Sequence, residues 1–487
     1  MPGKKTAINL ILNITRVGLN LLFPLVTFPY ISKVLGPVNL GKVNFTASVI
    51  NYFVLIASMG IPSYGVIICA KAKEDKERLK QTVCELLYIN FSLVIVAYTL
   101  FLFSLISVKK FEEYRTLFFV QSISIVLTAA GVDWLYSALE DFTYITFRSI
   151  GFKLISAVLI FTCVRKQDDY IIYALILIFS TIGSCVLNFL HAKPYIKFYP
   201  IKDLNLKRHI KPILTFFAAS VAATISSSID TTMLGFFYGD YEVGIYSFAV
   251  KIKNLLVTVN SAILAVFVPQ FSVYAQRKAY ELYKLKVHML AQFMYVLACA
   301  MTCFVIAFSS DIILILGGEE YYPARLPMYI LTSCLIVLSM TWTLGIGVLQ
   351  PLGMEKIYTK GVTISCVVNV LFNVGLIPFW GTNGASIATL VSEVTLMIYF
   401  INALKGSWTN ILKTIKWIQL MICCAIAAVV SQYVSALSGS NLYVKVMFSF
   451  GIYCLILGTL IMTVNKEIRE WIIAKLKTIH PRRNCDV

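Results

Sequence analysis

Charge is scarce in this sequence: only 14% of its 487 residues are Asp, Glu, Lys or Arg, against roughly 25% in a soluble domain. So few charges cannot clothe a water-soluble fold of this length, and 59% of the chain is apolar, with a mean hydropathy of +0.80. Histidine is rarer still. His191, His209, His288 and His480 fall near ends expected in water, and no grouping with metal-ligand spacing is present. The twelve cysteines include no Cys-x-x-Cys pair. Cys69, Cys185, Cys334, Cys366 and Cys454 stand in apolar runs, Cys299 and Cys303 share a helix face, and Cys423 and Cys424 are adjacent. They read as small buried hydrophobes. The net charge of +18 does not mark a nucleic-acid partner, because the basic residues lie between apolar runs and form no continuous patch.

What is present is apolar length. Runs of 18 or more residues recur along the whole chain, and each suffices to cross a bilayer. Spans are expected near 8–32, 43–70, 82–108, 115–138, 149–165, 170–192, 212–237, 243–270, 287–310, 324–350, 359–380, 384–403, 413–435 and 444–464. The expected fold class is thus an all-α polytopic membrane protein of about fourteen transmembrane helices. The Met-Pro-Gly-Lys-Lys start opens an apolar stretch longer than a signal-peptide core and without an Ala-x-Ala site, so it reads as a retained first helix.

Most of the 42 Lys and Arg fall in alternate connections. These hold Lys4, Lys5, the Lys71–Lys80 cluster, Arg148, Lys153, residues 193–211 and Arg277–Lys286. They also hold Lys356, Lys360, Lys405, Lys413, Lys416 and the tail from Lys466 to Arg483. The positive-inside rule makes these segments, and both termini, cytoplasmic. The opposite connections are no longer than about fifteen residues, too short for a folded catalytic domain. The expected organisation is an N-terminal lobe over 1–192, a cytoplasmic linker over 193–211, a second lobe over 212–403, two further helices over 404–464 and a tail over 465–487. Ile468, Trp471, Ile472 and Leu476 share one face of that tail, which reads as an interfacial helix.

A repeat appears at a spacing of 203 residues. Gly36, Gly41, Phe45, Asn51, Val54 and Ser58 match Gly239, Gly244, Phe248, Asn254, Val257 and Ser261. The match joins span 2 to span 8, six helices apart and so of one orientation. Parallel halves imply a pseudo-two-fold axis along the membrane normal and a cavity between lobes, the geometry of transporters.

Polar stripes run through several spans. Span 1 carries Asn9, Asn13, Arg16 and Asn20 on one helical face. Span 2 carries Asn44, Ser48, Asn51 and Ser58, and span 8 carries Ser247, Lys251, Asn254, Thr258 and Ser261. Span 7 is polar from Ser220 to Thr232, span 11 has Asn369 and Asn373, and span 12 has Ser386, Thr389 and Glu393. An ionised group at the bilayer centre costs at least ~2.5–3.5 kcal/mol, so these groups must face protein or water. Arg16, Asn13, Asn20, Asn51, Lys251 and Asn254 are the candidates for lining a wet, cationic cavity. Single Asn and Ser residues equally suit interhelical hydrogen bonding. Asp230, at a depth similar to Lys251 and Lys253, suits an ion pair or a coupling site. Asp133 lies near the inner end of span 4, and Glu393, near mid-membrane, is the acidic candidate for a coupling proton or Na⁺. Pro24 and Pro29 interrupt span 1, where a kink would serve as a gate or as a static bend.

Residues 23–45, Phe-Pro-Leu-Val-Thr-Phe-Pro-Tyr-Ile-Ser-Lys-Val-Leu-Gly-Pro-Val-Asn-Leu-Gly-Lys-Val-Asn-Phe, resemble the opening signature of bacterial polysaccharide repeat-unit (Wzx-type) flippases. Gly-Ile-Pro-Ser-Tyr-Gly (60–65), Asp-Trp-Leu-Tyr-Ser-Ala-Leu-Glu-Asp (133–141), Asp-Thr-Thr-Met-Leu-Gly (230–235), Val-Gly-Ile-Tyr-Ser (243–247) and Gln-Pro-Leu-Gly-Met-Glu-Lys (350–356) extend the resemblance over most of the chain. It implies two six-helix lobes in a MATE-like arrangement plus two C-terminal helices. It also implies a bacterial cytoplasmic membrane protein whose substrate is an undecaprenyl-diphosphate-linked oligosaccharide, working beside a polysaccharide polymerase and glycosyltransferases. Arginines of the first lobe would grip the diphosphate; Arg16 answers that description, with Lys42 at the mouth of span 2. The resemblance implies no cofactor, and an H⁺ or Na⁺ gradient or the membrane potential would supply the energy. The rival readings are a multidrug or cation antiporter of the same superfamily, a membrane-embedded polysaccharide polymerase, and a scaffold. Antiporter relatives often carry an acidic residue in the first helix, and none is present here.

Overall fold

The computed structural model describes residues 2–181, 183–196, 200, 204–404, 408, 415–436, 441–464 and 469, with side chains from Leu22 onward apart from those of residues 142 and 219. Apart from residue 469, the expected tail helix over 465–487 lies outside the described residues, as do nine of the thirteen residues 404–416. Among the described residues every regular element is a helix. Lipid offers no partner to a backbone N–H or C=O, so an apolar chain that enters it must satisfy those groups within each segment.

The helices are α1 (Pro2–Ser58), α2 (Ile61–Ala72), α3 (Lys76–Ser107), α4 (Arg115–Ala130), α5 (Asp133–Leu139), α6 (Phe142–Cys163), α7 (Tyr170–Thr181) and α8 (Ser184–His191). They continue as α9 (Lys207–Phe237), α10 (Asp240–Gln276), α11 (Tyr280–Ala307), α12 (Ser309–Leu316), α13 (Arg325–Leu344), α14 (Glu355–Ala403), α15 (Trp417–Ala436) and α16 (Leu442–Val464). Short 3₁₀ turns at Lys109–Tyr114, Gln167–Asp169 and Glu319–Ala324 join neighbours.

Twelve helical segments among the described residues are long and apolar enough to cross a membrane, which makes this a multi-pass membrane protein. Two of them, Leu22–Ala72 and Glu355–Ala403, run 51 and 49 residues. At ~1.5 Å per residue each is more than twice the ~30 Å hydrocarbon thickness. Each contains a glycine with non-helical backbone, Gly36 (φ 68°, ψ 175°) and Gly381 (φ 50°, ψ −128°), and the first turns again at Met59–Gly60 between α1 and α2. Both therefore have the length and the break for two crossings.

Local chemistry sets the other boundaries. The Asp75 carboxylate accepts from Glu77 N and Arg78 N at 3.1 Å and starts α3. Asp141 does the same for α6 through Tyr144 N at 3.3 Å. Helix α6 consequently begins seven residues before the expected 149, because the polar first turns that lowered its hydropathy are satisfied locally. Pro62 sits in the first turn of α2, where a missing N–H costs nothing.

The chain divides into two compact units. The first holds residues 1–248, 316–321 and 366–388, and the second holds 249–315, 322–365 and 389–487. In the first, Leu79, Val83, Leu86, Trp134, Leu135 and Tyr136 centre a core of α2, α3 and α5. Polar side chains stitch its helices: Asn90 Nδ2 donates to Ala57 O at 2.8 Å and Gln121 Nε2 to Val43 O at 3.0 Å. In the second unit, Phe271, Tyr283, Leu290, Val348 and Phe400 form one core and Cys299, Cys424, Ala427 and Tyr453 anchor another. Thr302 Oγ1 donates to Thr332 O and Tyr453 Oη to Ala300 O, both at 2.9 Å. Outward positions such as Ile106, Phe379 and Met447 are at least 77% exposed, as apolar groups facing lipid are.

Candidate functional site

The repeated glycines meet inside the first unit. A Cβ placed on Gly41 would stand 1.8 Å from Asp240 O, and one on Gly244 would stand 1.9 Å from Pro37 O. Backbone here lies on backbone, and only glycine permits it. Positions 41 and 244 are 203 residues apart, as are 37 and 240, so the contact is reciprocal in the manner of a two-fold axis. The neighbours obey the same relation. Gly36 and Gly239 both have left-handed φ, 68° and 91°. Phe45 packs on Tyr114 at 5.2 Å between ring centroids, and Phe248 on Tyr321 at 4.5 Å. Ser32 Oγ donates to Leu316 O, while Lys110 Nζ donates to Gly235 O and, at 3.1 Å, to Phe236 O. Deeper in the seam Ser48 Oγ shares a 2.8 Å hydrogen bond with Thr232 Oγ1.

The expected cavity residues divide by environment. The side chains of Asn13, Arg16 and Asn20 lie outside the described residues. Pro24 and Pro29 sit within helical backbone, and the non-helical residue of α1 is Gly36. Asn51 is exposed although Ser48, on the neighbouring face, is buried against α9. In the second unit Asn254 is exposed, and Lys251 and Lys253 are half-buried on α10. Lys251 has no ion-pair or hydrogen-bond partner among the described residues.

The acidic candidates are each held differently. Asp230 is 6% exposed; Tyr246 Oη donates to its Oδ2 at 2.5 Å and Asn373 Nδ2 to its Oδ1. Asn373 Nδ2 also reaches Asn369 Oδ1 at 3.1 Å, so α9, α10 and the middle of α14 converge on this carboxylate. Asp133 opens α5 and accepts from Arg148 Nη2 at 2.9 Å and from Asn188 Nδ2. Glu393 lies within electrostatic range of Lys253, and its Oε2 is buried without a hydrogen-bond partner among the described residues.

One cluster escaped the sequence reading. Glu85, with no exposed side-chain surface, accepts from His209 Nε2 at 2.6 Å, Arg208 Nε at 3.0 Å, Arg208 Nη2 at 2.5 Å and Asn205 N at 3.0 Å. Tyr64 Oη meets the other ring nitrogen, His209 Nδ1, at 2.8 Å. The expectation of a water-exposed His209 is therefore corrected: it is fully buried, because both ring nitrogens find partners inside the unit.

Among known proteins, the family model described as polysaccharide biosynthesis protein matches residues 7–275. A protein of Escherichia coli K12 described as "Putative O-antigen transporter" is 22% identical over 392 residues, covering 79% of this chain and 94% of that protein. A Shigella dysenteriae protein of the same description is also 22% identical, over 80% of this chain and 97% of its own. In fold the chain is similar to lipid II flippase MurJ in its inward closed conformation, with a TM-score of 0.71, 14% identity and coverage of 95% and 99%. It is also similar to an inward-facing multidrug resistance MATE family transporter of the MOP superfamily, with a TM-score of 0.61, 15% identity and coverage of 82% and 99%. The family and these neighbours are transporters and flippases rather than enzymes. The chain belongs to the polysaccharide biosynthesis protein family, and its fold is that of lipid II flippase MurJ.

Proposed function

We propose that this protein is a flippase that carries undecaprenyl-diphosphate-linked oligosaccharide repeat units from the inner to the outer leaflet of the bacterial cytoplasmic membrane, for O-antigen, capsule or exopolysaccharide assembly. The family membership and the O-antigen transporter relatives support the lipid-linked oligosaccharide as cargo. The observation that carries the electrostatic part is Lys251, a half-buried cation on an apolar helix with no counter-charge among the described residues. A lysine left without an anion inside a membrane protein is prepared for an anionic visitor.

An isolated ionised diphosphate cannot enter hydrocarbon, because desolvating a charge costs tens of kcal/mol by Born estimates. A cationic cavity lined by Arg16, Asn13, Asn20, Asn51, Lys251 and Asn254 would replace the lost hydration while the polyprenyl tail stays in lipid. Access alternates between the two faces as the lobes over 1–192 and 212–403 rock, across fourteen crossings with both termini cytoplasmic. Moving negative charge outward gains ~2.3 kcal/mol per charge per 100 mV, so the membrane potential assists the step. Glu393, with its Lys253 neighbour, and Asp230 are the groups for a coupled H⁺ or Na⁺. A polymerase and glycosyltransferases of the same pathway would receive and supply the cargo.

The test is complementation of a flippase-deficient strain. Arg16→Ala should abolish surface polysaccharide at unchanged membrane levels, and Arg16→Lys should lose less. Full export by Arg16→Ala would remove Arg16 from the mechanism. A deletion strain that accumulates no lipid-linked repeat units on the inner face would remove the function itself.

A further inference from the structure

We propose that the reciprocal corner between α1 and the α9–α10 junction is a seal that parts in each transport cycle, and that Asp240, held by Tyr114, is a polar latch present on one side of it and missing from the other. This rests on the alternating-access reading and names the residues that regulate it. The corner gathers connections from the same ends of their helices: Gly36 within α1, the 109–114 turn between α3 and α4, the α9–α10 junction, and the 316–321 stretch after α12. Under the proposed topology that end faces outward, so a headgroup bound for the outer leaflet has to pass it, and the two repeats that meet there have to separate.

The seal is symmetric in backbone and asymmetric in its latch. Tyr114 Oη donates to Asp240 Oδ1 at 2.7 Å, crossing from the first repeat to the second. The twin of that pair is Tyr321 with residue 37, by the relation that already pairs Phe45–Tyr114 with Phe248–Tyr321. Residue 37 is proline, which offers no side-chain acceptor. Tyr321 is fully buried and its hydroxyl has no hydrogen-bond partner among the described residues. A buried unpaired hydroxyl weakens a contact where a paired one strengthens it. The backbone does not demand the proline, since residues 37 and 240 each follow a left-handed glycine and begin a helical run. Aspartate is favoured at such a position. The seal thus holds one latch of the two its symmetry provides, which keeps it able to open.

The test reads opening without substrate. Ser48 is buried beneath the seal; Ser48→Cys in an otherwise cysteine-free variant that still exports is labelled by a membrane-impermeant maleimide added outside. Tyr114→Phe and Asp240→Ala should raise the labelling rate about fivefold, the weight of one ordinary hydrogen bond. Pro37→Asp and Pro37→Asn should lower labelling and export by about the same factor. Tyr321→Phe should relieve the Pro37→Asp effect in the double variant, a coupling that general misfolding does not produce. Unchanged labelling in Tyr114→Phe and both Pro37 variants overturns the proposal, as does slowed labelling that Tyr321→Phe leaves in place. Labelling that responds as expected, in a protein whose deletion accumulates no lipid-linked sugar, would sink the flippase reading and leave the seal standing.

Discussion

Glu85 is a carboxylate without exposed surface in a chain that is 59% apolar, and it persists because a histidine, an arginine and a backbone amide converge on it. Breaking a buried, hydrogen-bonded charge cluster from one side costs about 3–5 kcal/mol. Glu85→Ala and His209→Leu should therefore lower the melting temperature of the purified protein sharply, with Glu85→Gln intermediate, in a thermal melt in detergent. Lys251 belongs to the opposite class. It has no partner to lose among the described residues, so Lys251→Ala should leave the melt unchanged while reducing export, and Lys251→Glu should abolish export by repelling an anion. A Lys251→Glu variant that exports normally would place the cargo's charge elsewhere. Polarity within spans was legible at this scale, because an ionisable residue in an apolar run stands out wherever it packs. Partnership was not. Glu85 and His209 lie 124 residues apart, His209 falls in a stretch that reads as a connection, and only folding brings them together.

At the scale of elements the decisive feature is the corner where α1 breaks at Gly36 and α9 gives way to α10. Gly41→Ala and Gly244→Ala each place a methyl within 1.9 Å of a carbonyl oxygen. The backbones must then move apart. Each variant should lose export, and in the Ser48→Cys background each should label faster than the parent; equal labelling would mean that the contact gives way elsewhere. These glycines were visible as a repeat because their reason is steric, and sterics leaves little choice of residue. The aromatic half of the corner was hidden. Tyr114 and Tyr321 are separated by 207 residues, not 203, so four extra positions in the second repeat shift them out of register. Helix ends were less legible than helix centres. Hydropathy fades in polar first turns such as that of α6, where Asp141 and Asp133 satisfy what water would otherwise have to.

For the whole molecule, low charge and recurring apolar runs were enough to specify an all-helical, multi-pass membrane protein, because lipid leaves a chain few alternatives. The grouping of its parts was not readable in the same way: α9 is compact with residues 1–196 although its sequence begins the second repeat. If the cargo carries negative charge outward, collapsing the membrane potential should slow translocation in vesicles, with ~2.3 kcal/mol withdrawn per charge for each 100 mV removed. Insensitivity to the potential would point to a neutralised cargo or to compensating ion movement. The reciprocity of the Gly41 and Gly244 contact bears on how such a molecule can change. In a pair of separate identical chains, any substitution at a two-fold junction is made twice, and the junction can only become stronger on both sides or weaker on both. Two halves carried on one chain escape that constraint: proline on one side and aspartate on the other let the strength of a single closure be set in half steps.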